Sequence, residues 1–276
     1  MRSDADKLRS EVRVLVLTGL GLNCEEETAH GFRACGARAD LVHLSDMLAS
    51  DRPLTDYQVI AMIGGFSFGD HIAAGVVYAN RLRYRMFDRI LRFVGDGGLM
   101  IGICNGFQTM VKLGLLPGID GNYGERVATL AANDRLGYRD AWVSVRADPA
   151  SPCVWTRGVD RMDLPARHGE GKFLTRDEGL MQRLRDEHLI SVRYVDEGGE
   201  ATQQWPWNPN GSPDAVAGVC DPSGRLFGLM PHPDAYLYGF NHPQWARKKL
   251  EGSFELRGDG LKIFQNGVDF AAGVSG

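Results

Sequence analysis

A cysteine stands just past the apolar run Leu99-Met-Ile-Gly-Ile103, with a glycine two positions to either side: Gly102-Ile-Cys104-Asn-Gly106. A buried strand that enters a helix through small residues turns sharply, so the side chain at the corner stands clear of the backbone. With sulfur at that corner the chemistry is nucleophilic. The helix N-terminus beneath it favours a thiolate and offers free N–H groups to an oxyanion. The competing reading is a buried core cysteine beside a tight turn, the commonest fate of a free thiol. A thiolate nucleophile also needs a base that is itself held by a third group. Of seven histidines, His232 has the best neighbours. It lies in Met230-Pro-His-Pro-Asp234, braced by two prolines, with Asp234 two residues on and facing the same way in an extended chain. By itself the segment also reads as a surface turn.

A rival exists. Gly65-Phe66-Ser67-Phe68-Gly69 fits G-x-S-x-G, follows a strand, and precedes Asp and His in serine-hydrolase order. The next residues, Asp70-His-Ile-Ala-Ala-Gly75, start a helix less well than Asn105 onward. The preferred role for this glycine loop is to lend backbone N–H groups to an oxyanion formed at Cys104. Two other patterns fail. Gly19-Leu-Gly21 lacks the third glycine of a dinucleotide fingerprint, and Gly169-Glu-Gly-Lys172 lacks the Ser/Thr of a phosphate loop. Both are read as turns.

The elements that position these residues alternate. Val12-Arg-Val-Leu-Val-Leu-Thr18 is β-branched and apolar, as in a strand buried on both faces. Glu25, Glu26 and Glu27 then open a helix at its positive end. Strands are expected over 39–44, 58–63 and 99–103, and helices over 78–94 and 105–115. Strands alternating with helices predict a parallel sheet covered on both sides. After Gly118 the pattern turns β-rich, with strands over 141–146, 189–195, 215–219 and 226–230 and helices over 177–187 and 242–250. The reading is one α/β domain over residues 1–276, with residues 1–10 flexible.

Composition narrows the class. The 276 residues carry 31 Lys+Arg against 35 Asp+Glu, a formal charge of −4 that argues against a nucleic-acid groove. At 43% apolar and 24% charged the chain is an ordinary globular one. No apolar run approaches the ~18 residues of a membrane helix. The polar MRSDADKLRSEVR lacks the apolar core of a signal peptide, so the expected location is cytoplasmic. Five scattered cysteines without a CxxC suggest neither a disulfide framework nor a metal site.

Assembled, these residues resemble the class I, triad-type glutamine amidotransferases with a flavodoxin-like sheet. The likeness is greatest to the PurQ family, the glutaminase component of phosphoribosylformylglycinamidine synthase. It rests on Gly21-Leu-Asn-Cys-Glu25, Gly64-Gly-Phe-Ser-Phe-Gly-Asp70, Gly102-Ile-Cys-Asn-Gly-Phe-Gln108 with Gly114-Leu-Leu-Pro-Gly118, His168-Gly-Glu-Gly-Lys-Phe173, Asn208-Pro-Asn-Gly-Ser212 and Met230-Pro-His-Pro233. The resemblance implies that Cys104 attacks the amide of glutamine, that His232 protonates the leaving ammonia, and that Asp234 orients His232. Backbone N–H groups at Gly65, Phe66 and Asn105 would hold the oxyanion. Ser67 and Gln108 would seat glutamine, and His168 with Glu170 would border the same pocket. It further implies no cofactor in this chain. ATP and magnesium would sit on a synthetase partner that converts formylglycinamide ribonucleotide to the amidine, and a small subunit would bridge the two. The family triad usually ends in Glu where this chain has Asp234. Segments 162–200 and 236–251 look longer than the family pattern, as partner-facing insertions would. Other readings are a serine hydrolase using Ser67, a relative feeding another ammonia acceptor, and a non-catalytic relative that only binds a synthetase.

Overall fold

The computed structural model describes residues 3–50 and 53–274. The first half builds strands β1 (Arg13–Thr18), β2 (Arg38–His43), β3 (Val59–Met62) and β4 (Leu99–Ile103). Helices α1 (Asp4–Glu11), α2 (Glu25–Ala34), α3 (Leu44–Ala49), α4 (Val76–Gly95) and α5 (Asn105–Leu113) lie before and between them or after β4. The second half adds β5 (Ala128–Ala132), β6 (Arg139–Ala147), β7 (Arg161–His168), β8 (Glu170–Thr175), α6 (Glu178–Asp186), β9 (Val192–Val195), β10 (Val216–Cys220), β11 (Leu226–Leu229), α7 (Trp245–Leu250) and α8 (Gly260–Ala271).

Nine strands of the described residues share one sheet, in the order β2-β1-β3-β4-β11-β10-β9-β6-β7. The five from β2 to β11 are parallel, which is the doubly wound 2-1-3-4-5 order once β11 is counted as the fifth. The other four extend it antiparallel, and β5 pairs with β8 in a separate two-stranded sheet. β3, β4 and β11 are buried at every position because helices cover both faces. In such a sheet the loops at the carboxyl ends of the strands meet in one crevice. The loops after β1, β3, β4 and β11 therefore bring residues 19–24, 64–70, 104 and 232 together.

Several expectations change. Of residues 1–10, expected to be flexible, 1–2 lie outside the described residues and 4–10 belong to α1, because Ser3 and Asp6 close a capping box and Arg9 donates to Asp269 at 2.6 Å. The Gly169-Glu-Gly-Lys segment is a turn only at Gly169, after which Glu170 begins β8. Segment 162–200, read as an insertion, supplies β7, β9 and α6, and so two strands of the main sheet. Strands β5, β7 and β8 and helices α1, α3 and α8 were not anticipated. No helix of the described residues is long and apolar enough to cross a membrane.

Candidate active site

Cys104 occupies the corner between β4 and α5 with φ 51° and ψ −105°, a positive-φ conformation costly for a residue with a side chain. The flanking glycines allow it. A Cβ on Gly106 would lie 1.9 Å from the Met62 carbonyl oxygen, and one on Gly102 would lie 2.8 Å from the Gly106 carbonyl carbon. The strand and helix can approach this closely only without those side chains. The Cys104 thiol donates to the Arg167 carbonyl at the end of β7, 3.5 Å away.

His232 lies on the loop after β11, beside β4. Its backbone N–H donates to Pro165 at 2.7 Å, which ties the loop to β7. Its ring Nδ1 is 3.2 Å from Asp234 Oδ1 and 3.5 Å from Oδ2, with both side chains buried. Asp234 is not reached through extended chain, as the sequence suggested, but through a 3-10 turn over Pro233–Ala235. Burial alone would favour the neutral imidazole. The Asp234 carboxylate and the Cys104 sulfur outweigh it and hold the His232 pKa well above the ordinary histidine value.

The glycine loop after β3 bears on the oxyanion. Leu22 bridges antiparallel to Gly65, and this pairing commits the Phe66 N–H to the Gly21 carbonyl at 2.7 Å. Phe66, expected as a donor, is therefore already occupied. Gly65 N–H makes no backbone bond among the described residues, and Asn105 N–H is the unpaired first donor of α5. Ser67, the rival nucleophile, has its hydroxyl buried with no partner, hence no histidine to activate it.

Gln108 donates to the Glu170 carbonyl at 2.5 Å and accepts from Asn105 Nδ2 at 3.0 Å. Asn105 Nδ2 also reaches Asp70 at 3.1 Å, and the Glu170 carboxylate takes the Ala74 N–H at 3.1 Å. β8, the glycine loop and α5 are thus laced together around the corner. Burial, then the charge of Glu170, raises the Asp70 pKa above the usual carboxylate range. His168 is buried, and burial followed by the nearby His232 pushes its pKa down to about 3, so it is neutral. Its Nε2 accepts from Asn210 Nδ2 at 3.1 Å; the Asn210 oxygen takes the Ser212 N–H at 3.0 Å, which fixes which end of that amide faces the ring. The His168 proton is thereby placed on Nδ1, which has no partner.

Ser67 Oγ, Asn105 Oδ1, His168 Nδ1 and His232 Nε2 are all buried and unpartnered. An unsatisfied buried polar atom costs about 1–3 kcal/mol, so each of these four is open to a polar partner. Sequence reasoning missed Cys24. Its sulfur, with a ring nitrogen of His232 and an oxygen of Asp234, forms a group of donors within 4.8 Å of one another. Burial, only partly offset by His232, pushes the Cys24 thiol up to about 11. The signal was its place just past the first strand, beside the switch point where a doubly wound sheet gathers its site.

The CobB/CobQ-like glutamine amidotransferase domain family matches residues 11–271. A subunit of Methanococcus maripaludis named phosphoribosylformylglycinamidine synthase subunit PurQ is 42% identical over 267 residues, covering 94% of this chain and 97% of its own. The chain belongs to the PurQ family of glutamine amidotransferases. The PurQ subunit of Dehalococcoides mccartyi is 41% identical over 265 residues, covering 96% of this chain and all of its own. Among solved structures, PurLQS from Thermotoga maritima superposes with a TM-score of 0.68 at 25% identity, over 94% of this chain and 99% of that one.

Proposed function

We propose that Cys104, His232 and Asp234 act as the nucleophile, acid–base and orienting carboxylate of a glutaminase. The observation that carries this reading is the strained corner at Cys104, whose sulfur together with Asp234 raises the pKa of the His232 imidazole. The thiolate attacks the side-chain amide carbon of glutamine, and the oxyanion takes the N–H groups of Gly65 and Asn105. Losing one such donor typically costs ~3 kcal/mol of transition-state stabilisation. His232 Nε2–H then protonates the leaving nitrogen and ammonia departs. The freed Nε2 takes a proton from water, which attacks the thioester and releases glutamate. Ser67, Gln108 and the neutral His168 N–H supply polar contacts to the glutamine.

As a PurQ-family chain this protein is the glutamine amidotransferase component of phosphoribosylformylglycinamidine synthase. The relatives are named as subunits, and the similar T. maritima structure is that of PurLQS. By the same reading the ammonia goes to a separate synthetase that carries ATP and magnesium, with a small subunit bridging the two. The chain would work as one cytoplasmic domain without a cofactor of its own. The test is mass spectrometry of the protein quenched during turnover of glutamine. A glutamyl adduct on Cys104 is expected, formed also by Ser67→Ala, while Cys104→Ala releases no glutamate. Turnover by Cys104→Ala would overturn the assignment and return the serine reading.

A further inference from the structure

Cys24 has no part in the chemistry above, yet it sits against the residues that perform it. Its sulfur comes from the loop between β1 and α2, whereas His232 and Asp234 come from the loop after β11. This is why the spacing of the cysteines carries no metal signature. The Cys24 sulfur, a ring nitrogen of His232 and a carboxylate oxygen of Asp234 lie within 4.8 Å of one another, and Nδ1, the nitrogen that faces Asp234, is already 3.2 Å from Oδ1. Around a tetrahedral zinc, with bonds of ~2.0–2.3 Å, ligand atoms stand roughly 3.3–3.8 Å from each other, so closure needs a shift of no more than about 1.5 Å. Gly64 leaves room for it. A Cβ there would lie 3.2 Å from the Cys24 sulfur and 2.7 Å from His232 Cε1, against the face that the ion would use. Cys24 is only half-buried and the other two are buried, which gives the pocket one accessible side.

We propose that Cys24, His232 and Asp234 form a binding site for a zinc ion, and that the occupied site holds the glutaminase off. A thiolate, a neutral imidazole and a carboxylate are the donor types zinc takes, and the two negative charges balance its own. Water fills the fourth position. Binding releases two protons to solvent, one from the Cys24 thiol and one from His232 Nδ1. The ring then keeps its single proton on Nε2. With both nitrogens occupied it can accept no proton from Cys104 or from water, and Asp234 no longer orients it. This second part rests on His232 being the acid–base.

The test uses the full chain and cobalt(II) as a visible stand-in. In a Cys104→Ser background, which removes the other nearby thiol, one equivalent of cobalt should give a sulfur-to-cobalt charge-transfer band. Adding Cys24→Ala should abolish it. With the nucleophile intact, zinc should stop glutamate release reversibly on chelation, and Cys24→Ala should raise the half-inhibitory zinc at least tenfold while keeping the metal-free rate. A band that survives Cys24→Ala, or zinc inhibition unchanged by it, overturns the site. A Cys24-dependent band without inhibition keeps the site and overturns its effect on catalysis.

Discussion

Gly64→Ala presses chiefly on the His232 ring, and more lightly on the Cys24 sulfur 3.2 Å away, while leaving the chemistry of every catalytic side chain intact. Gly64 has no positive φ, so alanine suffers no backbone strain there and acts only through its methyl group. That methyl would lie 2.7 Å from His232 Cε1, where carbon atoms normally rest ~3.5–4.0 Å apart, so the ring must move by roughly 1 Å. The loop cannot absorb the shift freely. Its N–H is tied to Pro165 at 2.7 Å, Asp234 holds Nδ1 at 3.2 Å, and Pro231 and Pro233 stiffen the chain to either side. A misplacement of this size costs about 100-fold in turnover when the displaced group transfers a proton. Overpacking by one methyl costs the fold only about 1–3 kcal/mol. Glutamate release and urea unfolding should therefore separate: kcat down about 100-fold, the protein still folded. A variant within threefold of the parent rate would refute the idea that Gly64 keeps the space in which the imidazole stands.

Two more perturbations act on the same geometry. Asp234→Asn should lower kcat by about 10⁴ with little change in melting temperature, because an amide can stabilise the wrong imidazole tautomer; a loss of under tenfold would mean another group orients the ring. Glu170 is poorly placed for that, since its carboxylate is spent on the Ala74 N–H. The buried His168 should make the fold acid-sensitive. Its folded pKa of about 3 lies below the ordinary 6.5, so the unfolded chain binds the proton first and stability falls as pH drops from 6.5 toward 3. At 1.36 kcal/mol per unit, the step from pH 6.5 to 5 should cost the parent about 2 kcal/mol more than His168→Gln. Parallel urea curves for the two proteins would contradict this.

Legibility in the sequence divides along the sheet. In the first half the inner parallel strands β1, β3 and β4 are apolar runs, since both faces are covered, and the long helix α4 shows its 3.6-residue period, whereas the edge strand β2 carries Arg38, Asp40 and His43. The corner at Cys104 was legible for the same reason: glycines at fixed offsets from the end of a buried strand mark a sharp turn into a helix. The second half resisted. β5 buries only Leu130 and β8 only Gly171 and Phe173, and the two pair with each other away from the main sheet, so neither carries a strong apolar run. β7 contains Pro165 and charged residues, which read as loop; it is tolerated because β7 is the edge strand. The helix α1 is too polar to announce burial, and indeed none of its residues is buried; its cap and the ion pairs Lys7–Asp4 and Arg9–Asp6 support it locally, and Arg9–Asp269 ties it to α8.

The site shows the same division between what spacing can encode and what only folding can assemble. Cys104 and the His232–Asp234 pair are local patterns, whereas Cys24, Asn210 and the Arg167 carbonyl reach the centre from distant segments. Asp234 is the instructive case. An aspartate reaches ~1.5 Å less far than the glutamate usual in the family. Two prolines set the chain for the turn, and the 3-10 turn over Pro233–Ala235 carries the carboxylate inward until it meets Nδ1 at 3.2 Å. The turn thus brings the shorter carboxylate within reach of the imidazole. Lengthening the side chain alone, without altering that turn, would therefore crowd the imidazole instead of restoring a family contact.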